Sequence, residues 1–230
     1  DRLAPTSLLD RLPSDVEIID AAKIPYGRSM SQEDINDILI DRARRGRFVV
    51  RLKGGDSFLF GRGGEEAAAC AAAGVPVIAV PGVTSALAAP AGAGIPATHR
   101  GVAQDVHIVS AHVPPGDERS TVDWSGLARA GGTVVVLMGV GHLESVADAL
   151  VSHGRSADTP VAVVQEATLP GQRTVTGTLS TIAASARSAG VRPPAVVIIG
   201  EVVKTARELD ILHTGTPFET RRPVTGRDLQ

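Results

Sequence analysis

The chain has 230 residues, with 23 Lys and Arg against 25 Asp and Glu for a formal net charge of −2, 43% apolar residues and one cysteine. This balance gives no reason to expect nucleic acid or an anionic membrane as partner, and one cysteine excludes both an intrachain disulfide and a Cys-rich metal site. No apolar stretch approaches the roughly 20 residues that cross a bilayer, so the expectation is a soluble cytoplasmic protein.

In chain order, Val16–Ile19 is a short apolar run suited to a strand. Ser31 followed by Gln32-Glu33-Asp34 resembles a helix start, with a hydroxyl cap and acids in the first turn. Ile35, Ile38, Leu39 and Ala43 then recur at helical spacing up to Gly46. Phe48–Leu52 is a predicted strand, Glu65–Ala73 a helix ended by Gly74, Val77–Val80 a strand ended by Pro81-Gly82, and Thr84–Ala91 a helix. Val106–Ser110 is a strand. Pro114-Pro115-Gly116-Asp117 breaks the pattern and marks the expected domain boundary. After it come a helix (Trp124–Ala130), a strand (Thr133–Met138), a helix (Leu143–Ser152) and a strand (Pro160–Val164). A strand (Arg173–Leu179), a helix (Leu179–Ala189) and a strand (Ala195–Gly200) complete the series. Residues 161–177 read as an antiparallel hairpin. The alternation predicts an α/β protein of two lobes, 1–112 and 113–205, with a flexible tail over 206–230.

The sequence lacks a zinc-type H-E-x-x-H motif, a Gly-x-Ser-x-Gly elbow, a Walker lysine and a G-x-G-x-x-G dinucleotide fingerprint, and no metal site is expected. Four strand-end loops carry the remaining polar chemistry. Gly54-Gly55-Asp56 either brings backbone close to a small molecule at the carboxyl end of a strand or forms a tight turn with a capping aspartate. Pro81-Gly82-Val83-Thr84-Ser85 leads into a helix start whose N–H groups and hydroxyls can hold a polar ligand, or is an ordinary N-cap. Thr98-His99-Arg100 offers cations to carboxylates, or is a solvated loop. Met138 ends a strand in Leu137-Met138-Gly139, a place where methionine usually packs as core. Cys70 lies in an Ala-rich run and reads as a packed helix residue.

Together these segments resemble the tetrapyrrole methylase family, closest to its uroporphyrinogen-III C-methyltransferase branch. The most specific stretch runs from Val50 through Arg51-Leu-Lys53-Gly-Gly-Asp-Ser-Phe-Leu-Phe-Gly-Arg-Gly-Gly-Glu-Glu66. Val80-Pro-Gly-Val-Thr-Ser85, Gly94-Ile-Pro-Ala-Thr-His-Arg100, Leu137-Met-Gly139 and Arg192-Pro-Pro-Ala195 follow in the family's order. The resemblance spans Asp1 to about Val203.

It implies two α/β lobes that hold S-adenosylmethionine between them, and in most members a homodimer. By position, Gly54, Gly55, Asp56, Leu59, Thr84, Ser85, Met138 and Ala167 would line the methyl donor. Arg62, Glu65, His99 and Arg100 would face a tetrapyrrole rich in carboxylates. Asp1, in Asp1-Arg2-Leu3, and Lys23 would stand at the proton-acceptor and proton-donor positions, with Arg62 and Glu65 also in the reacting set. The implied reaction is methylation of uroporphyrinogen III at C-2 and C-7 to precorrin-2, without a metal. A methylase of a later corrin intermediate and a ligand-binding homologue with weak catalysis are the alternatives. Two departures stand out. Ser57 replaces the family's usual proline and fixes φ less firmly. The family's opening strand and Gly-x-Gly-Pro-Gly-Asp loop do not precede Asp1, so a protein of these residues alone is expected to bind the donor weakly and turn over poorly.

Overall fold

The computed structural model describes residues 1, 3–4, 6–21 and 30–208. The chain divides by its contacts into two compact units, Asp1–Thr84 and Ser85–Gln230. The expected lobe boundary at 112/113 therefore differs from the contact boundary.

In the first unit a 3-10 helix covers Thr6–Arg11, followed by α1 (Gln32–Arg44) and α2 (Gly63–Ala72). The start of α1 is the one that the Ser31/Asp34 spacing predicts. Asp34 N donates to Ser31 Oγ at 3.0 Å and Ser31 N donates to Asp34 Oδ2 at 3.1 Å. This reciprocal capping box satisfies two main-chain donors that the helix itself cannot. Beyond α1, Gly46 takes φ 76°, a conformation that glycine adopts without the cost of a Cβ. α1 packs on α2, with Ile35 and Cys70 buried. Burial pushes the Cys70 thiol up, in keeping with a packed, unreactive residue.

The three strands expected in this unit, Val16–Ile19, Phe48–Leu52 and Val77–Val80, do not form ladders. Their apolar periodicity reports a readiness to pair, but a strand exists only with a hydrogen-bonded neighbour. Among the described residues none is paired. Phe48 is 95% exposed and Ile78 90%.

The second unit is built around one sheet. It contains α3 (Ser85–Gly92), β1 (Val106–Ser110), α4 (Trp124–Arg129), β2 (Thr133–Leu137), α5 (Leu143–Ser152) and β3 (Pro160–Gln165). It continues with β4 (Arg173–Thr178), α6 (Ile182–Ser188), β5 (Ala195–Ile199) and α7 (Val202–Glu208). The strand order is β1-β2-β5-β3-β4. β1 runs parallel to β2, and β5 runs antiparallel to both β2 and β3. The predicted hairpin is present, with Val161 opposite Gly177. The expected helix from Leu179 begins later, at Ile182, because Leu179–Thr181 first make a turn in which Thr181 N donates to the Thr178 carbonyl. α7 extends into the segment expected as tail, and residues 209–230 lie outside the described residues.

The register explains why the central strands read as continuous apolar runs. Val134, Ile199 and Val161 share one row across the sheet, and Val136, Val197 and Val163 the next. These side chains join Trp124, Leu127, Val146, Leu150 and Ile182 of α4, α5 and α6 in one core. The alternate rows, Val135-Ile198-Ala162 and Leu137-Val196-Val164, face the opposite way. Here α3 packs on β2 and β5, and α7 on β3 and β5. Both faces are covered, so alternation has no polar half. Each fully buried Val or Ile contributes about 1.5–3 kcal/mol relative to an exposed one.

Candidate functional site

The sheet order fixes where two of the candidate loops emerge. β2 and β3 both oppose β5, so they point the same way, and Leu137 and Val164 both sit opposite Val196. Met138 and the turn containing Ala167 therefore leave one edge of the sheet on either side of β5, two strand spacings or about 10 Å apart. Carboxyl ends of strands at one sheet edge are where open α/β folds bind ligands.

The main chain is strained at these points. Among the described residues, the non-glycine residues with positive φ are Phe60 (55°), Arg62 (58°), Met138 (56°), Glu166 (49°) and Thr168 (66°). Arg62 and Met138 are themselves candidate residues, and Glu166 and Thr168 flank a third, Ala167. Left-handed backbone at a side-chain-bearing residue costs about 1–3 kcal/mol and persists where the surroundings impose it, often at functional sites. Met138 is exposed, contrary to the core reading of a strand-end methionine. Gln172 braces the loop after β3: its Oε1 accepts from Thr168 N at 2.7 Å and its Nε2 donates to the Gly92 carbonyl at the end of α3 at 2.8 Å. Ser85, at the other end of α3, is exposed.

His99 and Arg100 occupy a tight exposed turn. His99 and Ala103 exchange main-chain hydrogen bonds of 3.0 Å in both directions. His99 Nδ1 lies 3.0 Å from the Arg100 carbonyl, a geometry that fits a proton on Nδ1. Both residues are exposed.

In the first unit the Gly54-Gly55-Asp56 turn is built by main-chain contacts. A side chain at Gly54 would bring its Cβ to 2.7 Å from the Leu3 carbonyl oxygen, and one at Gly82 would run into the Gly55 carbonyl. Asp56 Oδ1 accepts from Phe58 N at 2.9 Å and Leu59 N at 3.2 Å, while Oδ2 accepts from Gly82 N at 3.0 Å. These backbone donors, Gly82 first, hold the Asp56 carboxyl below the usual aspartate range. The carboxylate thus ties the turn to the loop that ends in Thr84. The capping-turn reading of Gly-Gly-Asp is realised, and Asp56 shapes that surface through its neighbours' main chain. Leu59 is half-buried beside it.

Ser57 folds the segment back on itself: its carbonyl accepts from Gly63 N at 2.9 Å, where α2 begins. Arg62, the residue before α2, pairs with Glu65 through two hydrogen bonds, Nε to Oε1 at 2.8 Å and Nη2 to Oε2 at 2.6 Å. The hydrogen bonds that Arg62 donates to Glu65 raise its already high pKa. This fork-to-fork pair is exposed on both sides. It presents a guanidinium of fixed orientation at a helix start, suited to a carboxylate ligand.

Sequence reasoning overlooked the residues beneath this surface. Glu66 is 5% exposed. Its Oε2 accepts from Lys53 Nζ at 2.9 Å, and its Oε1 from Arg51 Nε at 3.1 Å and Gln32 Nε2 at 3.2 Å. Burial raises the Glu66 pKa, but the hydrogen bonds from Lys53 and Gln32 and the Arg51 charge outweigh it and leave the carboxyl below its usual value. Arg51 Nη2 also lies 3.6 Å from Asp1 Oδ2. The available signal was the spacing of Arg51 and Lys53, two cations on the same side of an extended segment. Lys23, the other residue placed in proton transfer, lies outside the described residues. The candidate residues of the first unit are therefore Asp1, Gly54, Gly55, Asp56, Leu59, Arg62, Glu65 and Thr84. Those of the second are Ser85, His99, Arg100, Met138 and Ala167.

Comparison with known proteins places these features in a family. The profile of Tetrapyrrole (Corrin/Porphyrin) Methylases matches residues 1–183. A Methanosarcina barkeri protein named S-adenosyl-L-methionine-dependent uroporphyrinogen III methyltransferase is 44% identical over 95% of this chain and 86% of its own length. A siroheme synthase of Chromobacterium violaceum is 46% identical over 91% of this chain, which spans only 44% of that longer protein. Among solved structures, the uroporphyrin-III C-methyl transferase of Thermus thermophilus, complexed with S-adenyl homocysteine, matches at 44% identity with a TM-score of 0.64. That match covers 76% of this chain and 75% of the other. A cobalt precorrin-4 methyltransferase matches at 29% identity with a TM-score of 0.69, over 76% and 72%. With the profile spanning most of its length, the chain belongs to the tetrapyrrole (corrin/porphyrin) methylase family.

Proposed function

We propose that the protein transfers methyl groups from S-adenosylmethionine to C-2 and C-7 of uroporphyrinogen III, giving precorrin-2. The observation that carries this reading is the 44% identity, over 95% of the chain, to a relative named for that donor and substrate. The backbone strain at Arg62, Met138 and the residues flanking Ala167 supports it, because it falls on the loops that the sequence assigns to the ligands.

The proposed donor-binding set is Gly54, Gly55, Asp56, Leu59 and Thr84 in residues 1–84, with Ser85, Met138 and Ala167 in residues 85–230. The fit rests on chemistry present in the chain: exposed main chain in glycine turns, hydroxyls at a helix start, and an exposed thioether. When bound, the donor supplies a methyl group already activated on a sulfonium sulfur. Attack by an electron-rich pyrrole carbon forms the new C–C bond as the S–CH₃ bond breaks, so the protein's task is chiefly orientation. Arg62, held by Glu65, and Arg100 with His99 are proposed to bind substrate carboxylates. The methylated macrocycle then loses one proton net: Asp1 is the proposed acceptor, and any proton that Lys23, the proposed donor, delivers to the ring is matched by a second one removed from it. The family resemblance further supports a homodimer acting in the cytoplasm. No described helix is long and apolar enough to cross a membrane.

A later corrin intermediate is the competing substrate, favoured by the cobalt precorrin-4 methyltransferase match. Supplying each acceptor with labelled donor separates the two. Two methyl groups incorporated per uroporphyrinogen III is the expected result. Methylation of the corrin intermediate with none of uroporphyrinogen III would replace the proposal.

A further inference from the structure

The loop between β3 and β4 carries Ala167 between two residues on left-handed backbone, Glu166 at φ 49° and Thr168 at φ 66°. It is anchored to the segment entering β5: Glu166 N donates to the Pro194 carbonyl at 3.0 Å, and Gln165 Oε1 accepts from Arg192 N at 2.9 Å. The Arg192-Pro-Pro-Ala195 motif thereby borders the site. Within the loop, Leu169 N donates to the Glu166 carbonyl and Gln172 N to the Leu169 carbonyl, each at 3.0 Å. Towards α3 it is tied by the Gln172 amide. Gln172 Oε1 accepts from Thr168 N at 2.7 Å, and Nε2 donates to the Gly92 carbonyl at 2.8 Å. Gln172 thus joins the residue after Ala167 to α3, the helix that begins with Ser85. The approach is close: a Cβ at Gly92 would lie 3.0 Å from Gln172 Oε1 and 3.3 Å from Thr168 Cγ2.

We propose that Gln172 is a positioning residue for the methyl donor, bridging the Ala167 turn to α3 so that turn and helix present one preformed binding surface. The inference rests on the reading of Ala167 and Ser85 as donor contacts. The main-chain bonds inside the loop shape the turn, and the amide bridge adds its registration on α3. One side chain serves both partners because an amide carries an acceptor and a donor on opposite sides. Left-handed backbone at Glu166 and Thr168 holds strain that a released loop can relax, and two hydrogen bonds are of comparable size. A loop that leaves its binding shape for part of the time weakens binding by that fraction. The effect falls on donor affinity, because Gln172 acts by preorganising the turn and takes no part in bond making or proton transfer.

The test compares the protein with Gln172→Glu and Gln172→Leu. Calorimetric titration with S-adenosylhomocysteine is combined with steady-state kinetics on S-adenosylmethionine and uroporphyrinogen III. The glutamate variant keeps an acceptor for Thr168 N and loses the donor to Gly92, so it cuts the bridge and spares the loop. The leucine variant loses both. In each, the Kd for S-adenosylhomocysteine and the KM for S-adenosylmethionine are expected to rise by at least about fivefold. The kcat and the KM for uroporphyrinogen III should stay within about twofold, with a cooperative melt retained. Unchanged donor affinity in both variants would overturn the inference. A rise in the leucine variant alone would assign the effect to the loop's own bond and also overturn it. Equal weakening of donor and tetrapyrrole, or loss of folding in both variants, would make Gln172 a general structural brace and overturn it too. Absence of S-adenosylhomocysteine binding by the unsubstituted protein would overturn the donor reading and this inference with it.

Discussion

Residues 1–84 and 85–230 are held together by different physics. The second unit has a five-stranded sheet covered on both faces, with its central valines and isoleucines fully buried. Among its described residues the first has two packed α-helices and few buried apolar side chains, together with the buried ionic cluster of Glu66, Lys53 and Arg51. An apolar core tolerates the loss of one contact by degrees. A buried charge cluster stabilises only while every member is present, because each lone charge left behind is costly.

The largest effect that this contrast predicts is for Val163→Asp. It buries an unpaired charge in the middle of the sheet and should abolish folding of the second unit, a loss above about 4 kcal/mol. Its circular-dichroism melt should show no cooperative transition. Glu66→Ala comes next, leaving Lys53 and Arg51 without their carboxylate, at about 3 kcal/mol or more to the first unit. Hydrogen exchange should show α1 and α2 losing protection while β2, β3 and β5 keep theirs. Equal loss in both units would erase the distinction.

Acid sharpens the same comparison. The Glu66 carboxyl lies below its ordinary value of 4.5 in the folded protein. Its stabilisation is therefore complete above 4.5 and is lost as the pH falls through the lower, folded value. Exchange protection of α1 and α2 should decline as the pH falls below 4.5 and through the lower folded value, and Glu66→Gln should flatten that dependence. Ser31→Ala removes the hydroxyl half of the α1 capping box and should cost about 1 kcal/mol. Phe48→Ser should change stability by less than about 0.5 kcal/mol, since the ring is exposed. A larger loss would mean that the ring is buried in the working protein.

The same contrast explains what was legible in the sequence. In the second unit nearly every strand and helix stood where periodicity placed it, since each strand's partner lies within the unit and agrees with its pattern. The hairpin over 161–177 was legible as well, and its strands pair with Val161 opposite Gly177. In the first unit, Val16–Ile19, Phe48–Leu52 and Val77–Val80 carried the same signal, but pairing is a property of two segments and no single segment encodes it. The candidate loops were legible as motifs. Their mechanics were not: Asp56 turns both oxygens to main-chain donors, and Met138 is exposed on a left-handed backbone. Glu66 read as the first turn of a helix, because sequence spacing does not reveal that Lys53 and Arg51 converge on it.

The direct test of the proposed site is a crystal structure of the protein with S-adenosylhomocysteine and its donor-binding loops ordered. The expected result is the ligand in contact with the Gly54-Gly55-Asp56 turn, Met138 and the Ala167 turn, the last two retaining positive φ at Met138, Glu166 and Thr168. A ligand bound away from these loops would contradict the assignment of the strained strand ends to the methyl donor.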